Sequence, residues 1–320
     1  MEYKRLGNTG LKVSSLCFGT MTFGQEADEA LSKKIYAVCR DYGVNFFDCA
    51  NVYAGGESER ILGNLIKEHR DEVILATKAY YPISRDINGK GGSRFHLTQA
   101  LRDSLKRLDT DYIDVYYVHH FDEETPLEET LGTLNDFVRQ GKVLYIGLSN
   151  FAAWQVMKAI SITKQFNFAP IACIQPMYNL LKRQCESEIL PMAQSENLGV
   201  FSYSPLAGGM LTGKYLHNRK EEGRFDTNVM YQKRYEEHRN IQTTEAFIEF
   251  SHENNFDPVS LAISWVGGHP GISAPIIGAR SVEQLMPALK SVEIPMTDDL
   301  WQNISDLSSH PAIATDRSEE

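Results

Sequence analysis

The sequence predicts an α/β protein built as a closed (β/α)8 barrel, a TIM barrel, with an N-terminal β-hairpin and long loops after some strands. Eight short runs of apolar, β-branched or aromatic residues recur along the chain, and most are separated by helix-like patterns. Eight such units are the number that closes a barrel. No linker or shift in composition divides the chain. We therefore expect one barrel domain over residues 1–320, with a polar tail from about 310 to 320.

The predicted strands follow in chain order. The segment KRLGNTGLKVS places the turn signal Asn8-Thr9-Gly10 between two short runs, which predicts a hairpin ahead of the barrel. The eight barrel strands are expected in SLCFGT, VNFFDCA, EVILATK, YIDVYYVHH, VLYIGLS, CIQPMY, GVFSYSPL and SAPIIGA.

The clearest helix signals lie in the middle of the chain. In HLTQALRDSLKRL, leucines recur at steps of four, four and three residues, so they share one face that can pack on a sheet. A second helix, LEETLGTLNDFV, is expected to have Thr125 as its N-cap and Pro126 as its first residue. The leucines are Leu97, Leu101, Leu105 and Leu108.

An open, doubly wound sheet is the rival architecture. We favour the closed barrel because no GxGxxG motif follows the first strand and neither half of the chain stands apart. Two connections are unusually long, residues 79–95 and 207–239, and both follow predicted strand ends, where a barrel carries its site. We expect binding loops or covers there, with plain surface insertions as the alternative.

Composition limits the classes of partner. A formal net charge of -10 disfavours binding to nucleic acid or to anionic membranes, because such binding relies on clustered Lys and Arg. The N-terminus lacks the apolar run of a signal peptide, and no segment approaches the roughly 18 apolar residues that span a bilayer. Five cysteines without CxxC spacing indicate thiols of a cytosolic protein, mostly in the core, and no zinc site. We expect a cytoplasmic protein without a metal, as a monomer or homo-oligomer.

Titratable side chains end three successive strand candidates. Asp48 ends the second strand candidate, Lys78 ends the third, and His119 and His120 end the fourth. Tyr53 follows Asp48 in the segment FDCANVYAGGESE. Neighbouring parallel strands lie about 4.8 Å apart, so Lys78 can sit between the carboxylate and an imidazole. A nearby ammonium favours the tyrosinate and so lowers a tyrosine pKa from about 10, which helps proton donation to an alkoxide. The pattern predicts a proton donor tuned by a lysine that an aspartate orients; any one of these residues alone is more often structural.

These residues, in the contexts FFDCANVY, ILATK and YIDVYYVHH, resemble the catalytic tetrad of the aldo-keto reductase superfamily. The motifs GTMTFG, IGLSNF, IQPMYN, YSPLAGGMLTGKY and PIIGARSVEQL extend the resemblance in order from about residue 3 to about residue 290. It implies a (β/α)8 barrel, NADPH at the C-terminal face of the strands, and hydride transfer to an aldehyde or ketone. It assigns Tyr53 as general acid, Lys78 and Asp48 as its tuning pair, and His119 as the group that orients the carbonyl.

The same resemblance implies where the cofactor lies. Ser149, Asn150 and Gln175 would hold the nicotinamide carboxamide, and Tyr203 would stack on the ring and block one of its faces. Without the neighbouring motifs, Tyr203 would be an ordinary core aromatic. The other positions implied for NADPH or NADP+ are Gly19, Thr20, Met21, Asp48, Ser204, Pro205, Leu206, Gly208, Lys214 and Gly278.

The segment Gly208–Lys214 also matches GxxxxGK, which raises a nucleotide triphosphatase as an alternative. The next residue is Tyr215, where a phosphate-binding P-loop needs Ser or Thr to hold magnesium, so the match is incomplete. In the resembled family this loop lies along the cofactor pyrophosphate instead.

A second phosphate site is predicted in PIIGARSVEQL. Ser281 as N-cap and Gln284 three residues later form a capping box, which places a helix N-terminus beside Arg280. Together these groups can receive an adenosine 2′-phosphate, which favours NADPH over NADH. A surface helix cap with a solvated arginine is the plainer alternative. Ala288 departs from the resembled family, in which an adenine-contacting Asn is common here.

The expected substrate is a small carbonyl compound. Aromatic side chains suit apolar or aromatic carbonyls, and Arg94 can admit an anionic one. The chain also resembles potassium-channel β subunits, which keep the barrel and the cofactor but serve as binding partners or redox sensors, so a regulatory role is the alternative to an enzyme. The expected pocket residues are Met21, Phe23, Tyr53, Tyr80, Tyr81, His119 and Phe121.

Overall fold

A computed structural model describes residues 1–82, 85–216 and 229–315. The chain begins with the predicted hairpin, in which β1 (Tyr3–Arg5) pairs antiparallel with β2 (Lys12–Ser14). Leu6 and Val13 from this hairpin are fully buried beneath the barrel, and the Ser14 N–H donates to Asn45 Oδ1 at 2.8 Å. The hairpin therefore closes the N-terminal end of the barrel.

Eight parallel strands form a closed barrel, in which neighbours around the barrel are neighbours along the chain. The last strand pairs with both its predecessor and the first barrel strand, so the predicted fold class is confirmed and the open-sheet alternative is wrong. The strands are β3 (Cys17–Gly19), β4 (Phe46–Asp48), β5 (Ile74–Ala79), β6 (Ile113–Val118), β7 (Val143–Ser149), β8 (Ile171–Gln175), β9 (Gly199–Ser202) and β10 (Ala274–Ile277).

Helices pack around the outside of the barrel. They bury apolar faces against the strands, and a second apolar cluster fills the barrel interior. The described helices are α1 (Glu29–Asp41), α2 (Glu57–Ile66), α3 (Arg94–Leu108), α4 (Leu127–Arg139), α5 (Ala153–Phe166), α6 (Ile189–Ser195), α7 (Val229–Tyr235), α8 (His238–Glu253), α9 (Pro258–Gly268), α10 (Val282–Lys290) and α11 (Asp298–Ser305).

The helix predictions hold with one correction. In α3 the predicted leucine face packs inward: Leu97, Leu101 and Leu108 are buried, and the fourth leucine packs partly buried against the same core. The predicted start of α4 is wrong by one residue, because Pro126 is the N-cap, with extended ψ of 127°, and the first helical residue follows it. The Thr125 hydroxyl does not cap the helix but donates to Asp122 Oδ2 at 2.6 Å.

The strand period brings the charged side chains inside the barrel. Phe46 of β4 and Ala76 of β5 belong to the interior apolar cluster. Because side chains alternate along a strand, Asp48 and Lys78, two residues further on, face the same interior at its C-terminal end. The sequence alternation therefore places a polar layer on top of an apolar one.

The two long connections are only partly described. Residues 83–84 of the first and 217–228 of the second lie outside the described residues, as do residues 316–320 of the polar tail. The second connection holds a 3-10 turn at Ala207–Thr212, then α7 and the start of α8. Within the described ranges, no helix has both the length and the apolar character that crossing a membrane requires.

Candidate active site

A cavity of about 840 Å³ lies at the C-terminal ends of the barrel strands. It is lined by most of the residues that the sequence analysis predicted for the site, and these come from all eight barrel strands or the loops that follow them. The nominated residues that line it are Gly19, Met21, Asp48, Tyr53, Tyr81, His119, Ser149, Asn150, Gln175, Tyr203, Ser204, Leu206, Gly208, Lys214, Gly278, Arg280 and Gln284.

Lys78 is the centre of the polar layer at the cavity floor. Its ammonium donates to Asp48 Oδ2 at 2.5 Å and to the Cys49 carbonyl at 2.7 Å, and Tyr53 Oη lies 3.5 Å away. The side chains of the lysine and the aspartate are 0% and 3% exposed. Burial by itself lowers the pKa of Lys78, but Asp48 and Tyr53 outweigh it and raise that pKa above its ordinary value. The lysine is therefore a fixed cation.

The backbone after β4 turns sharply to bring Tyr53 over this lysine. Ala54, Gly55 and Gly56 all have positive φ, of 49°, 64° and 101°. A side chain at Gly56 would also approach the Arg107 side chain to 2.7 Å, so both conformation and space favour glycine there. The two glycines let the chain turn from the site into α2, whereas the left-handed Ala54 carried no sequence signal.

The pKa of Tyr53 differs from the sequence-based expectation. Burial raises it to about 12, while Lys78 lowers it and Asp48 raises it. Lys78 thus lowers the pKa as predicted, but desolvation of the phenol raises it by more. Tyr53 is consequently a fully protonated donor near neutral pH.

His119 follows the end of β6 and is held through its backbone. Its N–H donates to the Ala79 carbonyl at 2.9 Å, and its carbonyl accepts from Asn150 Nδ2 at 2.9 Å. The ring lies edge-on to Tyr53, with centroids 6.3 Å apart, and its Nδ1 is buried without a protein partner. Burial, Lys78 and His120 lower the pKa of His119 well below its ordinary value, so the imidazole is neutral.

Polar side chains from β7, β8 and the segment after β9 form a connected wall beside the tetrad. Gln175 Nε2 donates to Asp48 Oδ1 at 3.0 Å, and the Ser149 hydroxyl donates to the Gln175 carbonyl at 3.0 Å. The Tyr203 hydroxyl donates to Asn150 Oδ1 at 2.7 Å. Asn150 has a φ of 57°, a conformation that asparagine tolerates better than most residues. The wall offers amide and hydroxyl groups next to an aromatic ring.

The loop after β9 lines the middle of the cavity. Ser204, Ala207, Gly208 and Gly209 have positive φ, and the last three of these belong to the 3-10 turn Ala207–Thr212. A side chain at Gly209 would lie 3.0 Å from Lys214 Cε, so the loop packs closely on the lysine stem. The turn at Ala207–Thr212 and the Tyr215 that follows Lys214 both differ from a P-loop, in which an α-helix begins at the lysine and Ser or Thr follows it.

Arg280, Ser281 and Gln284 meet at the N-terminus of α10. The Ser281 hydroxyl accepts from the Gln284 N–H at 3.3 Å, so the predicted N-cap is present. The Gln284 side chain accepts from the Arg280 N–H at 3.3 Å, one residue before the cap. Ala288 is buried in the core, and Pro287 lines the cavity on this helix.

Several nominated residues support the cavity without lining it. Thr20 is buried and accepts from the Ser58 hydroxyl at 2.9 Å, and Pro205 is buried as well. Phe23 is fully buried against Phe18, with ring centroids 5.6 Å apart. These side chains shape the walls from behind. None of the three lines the cavity.

Three residues nominated for the substrate pocket pack elsewhere. Tyr80 packs beside Tyr81 and His120, and Phe121 packs against Phe151 and Trp154. Arg94 Nη1 donates to Asp136 Oδ2 at 2.6 Å, so its guanidinium pairs on the barrel exterior with α4 rather than reaching the cavity.

The sequence analysis did not predict the part of the cavity wall that helices α7 and α9 contribute. Helix α7 contributes Met230, Tyr231 and Arg234, and α9 contributes Val259. No motif surrounds these residues, and only the charge of Arg234 is a sequence signal. Along residues 1–82, 85–216 and 229–315, no three His, Cys, Asp or Glu side chains are grouped to hold a metal ion. The other cavity-lining residues not nominated are Thr22, Val52, His120, Gly209, Thr212, Ile276, Ile277, Ala279 and Pro287.

A closed barrel with a buried Lys–Asp pair and a tyrosine at the C-terminal strand ends is the architecture of a barrel enzyme. The model of the aldo/keto reductase family matches residues 15–309. The chain belongs to the aldo/keto reductase family and is an oxidoreductase. Members of this family generally use nicotinamide cofactors.

Three similar proteins cover nearly the whole chain. "Uncharacterized oxidoreductase YrpG" of Bacillus subtilis (strain 168) is 40% identical over 329 aligned residues, which cover 98% of each chain. A protein of Oryza sativa subsp. japonica named "Probable voltage-gated potassium channel subunit beta" is 36% identical, with 92% of each chain covered. A protein of the same name from Arabidopsis thaliana is also 36% identical, again over 92% of each chain.

Proposed function

We propose that the protein is an NADPH-dependent reductase of aldehydes or ketones, with Tyr53 as the general acid. The observation that carries this proposal is the buried Asp48–Lys78 pair, whose ammonium lies 3.5 Å from the Tyr53 hydroxyl at the floor of a cavity large enough for a cofactor and a small substrate. His119 completes the group from the neighbouring strand end.

The lining of the cavity fits a nicotinamide dinucleotide. Ser149, Asn150 and Gln175 offer the amide and hydroxyl groups that suit a neutral carboxamide, and the Tyr203 ring lies beside them. Lys214 lines the cavity and packs on the Gly209 backbone, so its ammonium can pair with a phosphate of the cofactor. When bound, the nicotinamide supplies the hydride that reduces the carbonyl carbon.

The tetrad performs the proton transfer. Tyr53 is protonated, because burial raises its pKa to about 12, so it can donate its proton to an oxygen that gains negative charge. As the phenol loses its proton, the Lys78 ammonium stabilises the phenolate, and Asp48 keeps that ammonium in place. The neutral His119 imidazole can donate a hydrogen bond to the substrate oxygen and orient it.

The groups at α10 support a preference for NADPH over NADH. The Arg280 guanidinium, the Ser281 hydroxyl and the helix N-terminus offer a positive, donor-rich site for the adenosine 2′-phosphate. Because this site lies in an exposed part of the cavity lining, it adds affinity for the phosphate rather than chemistry.

The test is steady-state turnover of NADPH with a panel of small aldehydes and ketones. Tyr53→Phe should lower kcat by about 100-fold to 10,000-fold, the usual contribution of a general acid, while NADPH affinity changes little. NADPH fluorescence titration measures that affinity. Cys39→Ser, at a buried thiol of α1 that does not line the cavity, is the control and should retain turnover.

The opposing result is tight NADPH binding with negligible turnover across the whole panel. That outcome would sink the reductase proposal and would favour a cofactor-binding regulatory subunit, the role suggested by the names of the two plant relatives.

A further inference from the structure

Arg234 supplies a cation to the cavity from a part of the chain that no motif nominated. It lies in the last turn of α7 and lines the cavity together with Met230 and Tyr231. Its guanidinium carbon is 5.4 Å from the centre of the Tyr231 ring, so the planar group is held by an aromatic side chain. It is partly buried, in contrast to the exposed Lys233 beside it.

The guanidinium belongs to the tetrad end of the cavity. It is close enough to Tyr81 and Tyr203 to lower the pKa of both, against the larger raising effect of burial. The Tyr81 ring in turn lies 4.9 Å from the His119 ring, centroid to centroid. Arg234 therefore lines the cavity near Tyr81, whose ring packs on His119 of the tetrad.

The nearby Glu237 is engaged with other cations. Glu237 pairs with Arg239 at 2.5 Å and with Lys182 at 3.7 Å. Along the described ranges no carboxylate lies within 4.0 Å of the Arg234 guanidinium.

A partly buried guanidinium with no carboxylate partner among the described residues is suited to an anionic ligand. Arginine presents paired N–H donors that match a carboxylate or phosphate, and its contacts to such groups are stronger than neutral hydrogen bonds. The other arginine considered for this purpose, Arg94, is already paired with Asp136. Among the arginines of the described residues considered for this role, Arg234 lines the cavity and Arg94 does not.

We infer that Arg234 binds an anionic group, a carboxylate or a phosphate, on the carbonyl substrate. The inference rests on the proposed reductase function and narrows its substrate class to aldehydes and ketones that carry a negative charge. Tyr81, Met230 and Tyr231 supply the apolar wall between that charge and the carbonyl.

A matched substrate pair tests the inference. 4-Formylbenzoate and its methyl ester share the aldehyde and the ring and differ in charge, so the ratio of their kcat/KM values isolates recognition of the carboxylate. We expect the native protein to favour the carboxylate, and Arg234→Met to lower the ratio by about 10-fold to 100-fold, the usual range for a hydrogen bond to a charged group. The ratio for Arg234→Lys should lie between those of the native protein and Arg234→Met. Lys233→Met removes the same charge outside the cavity and should retain the native ratio.

Binding of an unreactive anion keeps the two proposals separable. With NADP+ present, calorimetry should show 4-methylbenzoate binding to the native protein and binding at least 10-fold more weakly to Arg234→Met, whether or not the aldehydes turn over. No binding to the native protein, or equal binding to both proteins, would overturn the inference while reduction of the ester still supported the reductase. If Arg234→Met weakened NADPH binding and left the substrate ratio unchanged, the anion held by Arg234 would be a cofactor phosphate and the inference would be wrong.

Discussion

The two ends of the cavity are built in opposite ways. At the tetrad end, the Lys78 and Asp48 side chains are almost completely buried and bonded to each other. At the α10 end, Gln284 is exposed, Arg280 is partly exposed, and the hydrogen bond between them is 3.3 Å long. One end completes its contacts when the chain folds, whereas the other leaves donors to a ligand.

This difference separates stability from binding. A buried ion pair carries a large desolvation cost that each charge offsets for the other, so removal of one partner leaves an uncompensated charge. An exposed cation carries little of that cost because water solvates it in the free protein. Substitutions at the tetrad end should therefore affect folding and catalysis, and those at the α10 end should affect ligand affinity alone.

The largest effect is expected for Lys78→Met. It should lower the free energy of unfolding by about 3–5 kcal/mol, because Asp48 remains buried without its cation, and it should abolish turnover because Tyr53 loses its charged neighbour. Urea denaturation followed by circular dichroism measures the stability. Lys67→Met breaks a pair with Asp109 in which both side chains are more than half exposed, so it should stay near native stability. Equal losses of unfolding free energy in Lys78→Met and Lys67→Met would contradict the stated difference between buried and exposed ion pairs.

A smaller effect is expected for Arg280→Met at the other end. The ratio of NADPH to NADH affinity should fall about 10-fold or more, because a charge-assisted contact to the 2′-phosphate is lost. The free energy of unfolding should stay within about 0.5 kcal/mol of native, as for most surface substitutions. Fluorescence titration with each cofactor gives the ratio. An unchanged ratio would place the 2′-phosphate elsewhere.

The smallest effect concerns the pH dependence that His119 adds to stability. Its folded-state pKa lies below the ordinary value of about 6.5, so the unfolded chain binds the extra proton first as pH falls. Stability is therefore lost below about pH 6.5, at roughly 1 kcal/mol between pH 6.5 and 5.5. His119→Asn should remove that part of the acid-side loss.

Urea midpoints at these two pH values check the His119 prediction. His96 and His269 also have lowered pKa values from burial. His119→Asn should therefore still lose some stability between pH 6.5 and 5.5, but less than the native protein. An equal loss of stability between the two pH values in native and variant proteins would mean that the His119 imidazole is not held neutral.

The strand positions show why much of the site was predictable. Short apolar runs and strand period are local properties, and each predicted barrel run contains all or most of one observed strand. Once eight strands close in chain order, their C-terminal ends must meet, which brings Asp48, Lys78 and His119 together. The Ser281 cap was equally predictable, because a helix start depends on neighbouring residues only.

The substrate side was less predictable for the opposite reason. A sequence pattern does not show which distant group an exposed arginine meets: Arg94 pairs with Asp136, 42 residues away. Phe23 is an aromatic residue beside the site, yet it packs inward on Phe18. Arg234 enters the cavity from a helix that follows β9 by 27 residues, with no motif around it.

The sequence alone determined the barrel, the hairpin and the convergence of the charged strand ends, because these follow from local periodicity and from the closure of eight units. The tertiary structure decided how far each pKa is shifted and which charged side chains reach the cavity. Burial, which depends on every element packed around a group, raised the pKa of Tyr53 although its lysine neighbour lowers it. A long-range ion pair with Asp136 keeps Arg94 away from the cavity, whereas the packing of α7 places Arg234 in its lining. Both outcomes depend on the surfaces that folding brings together.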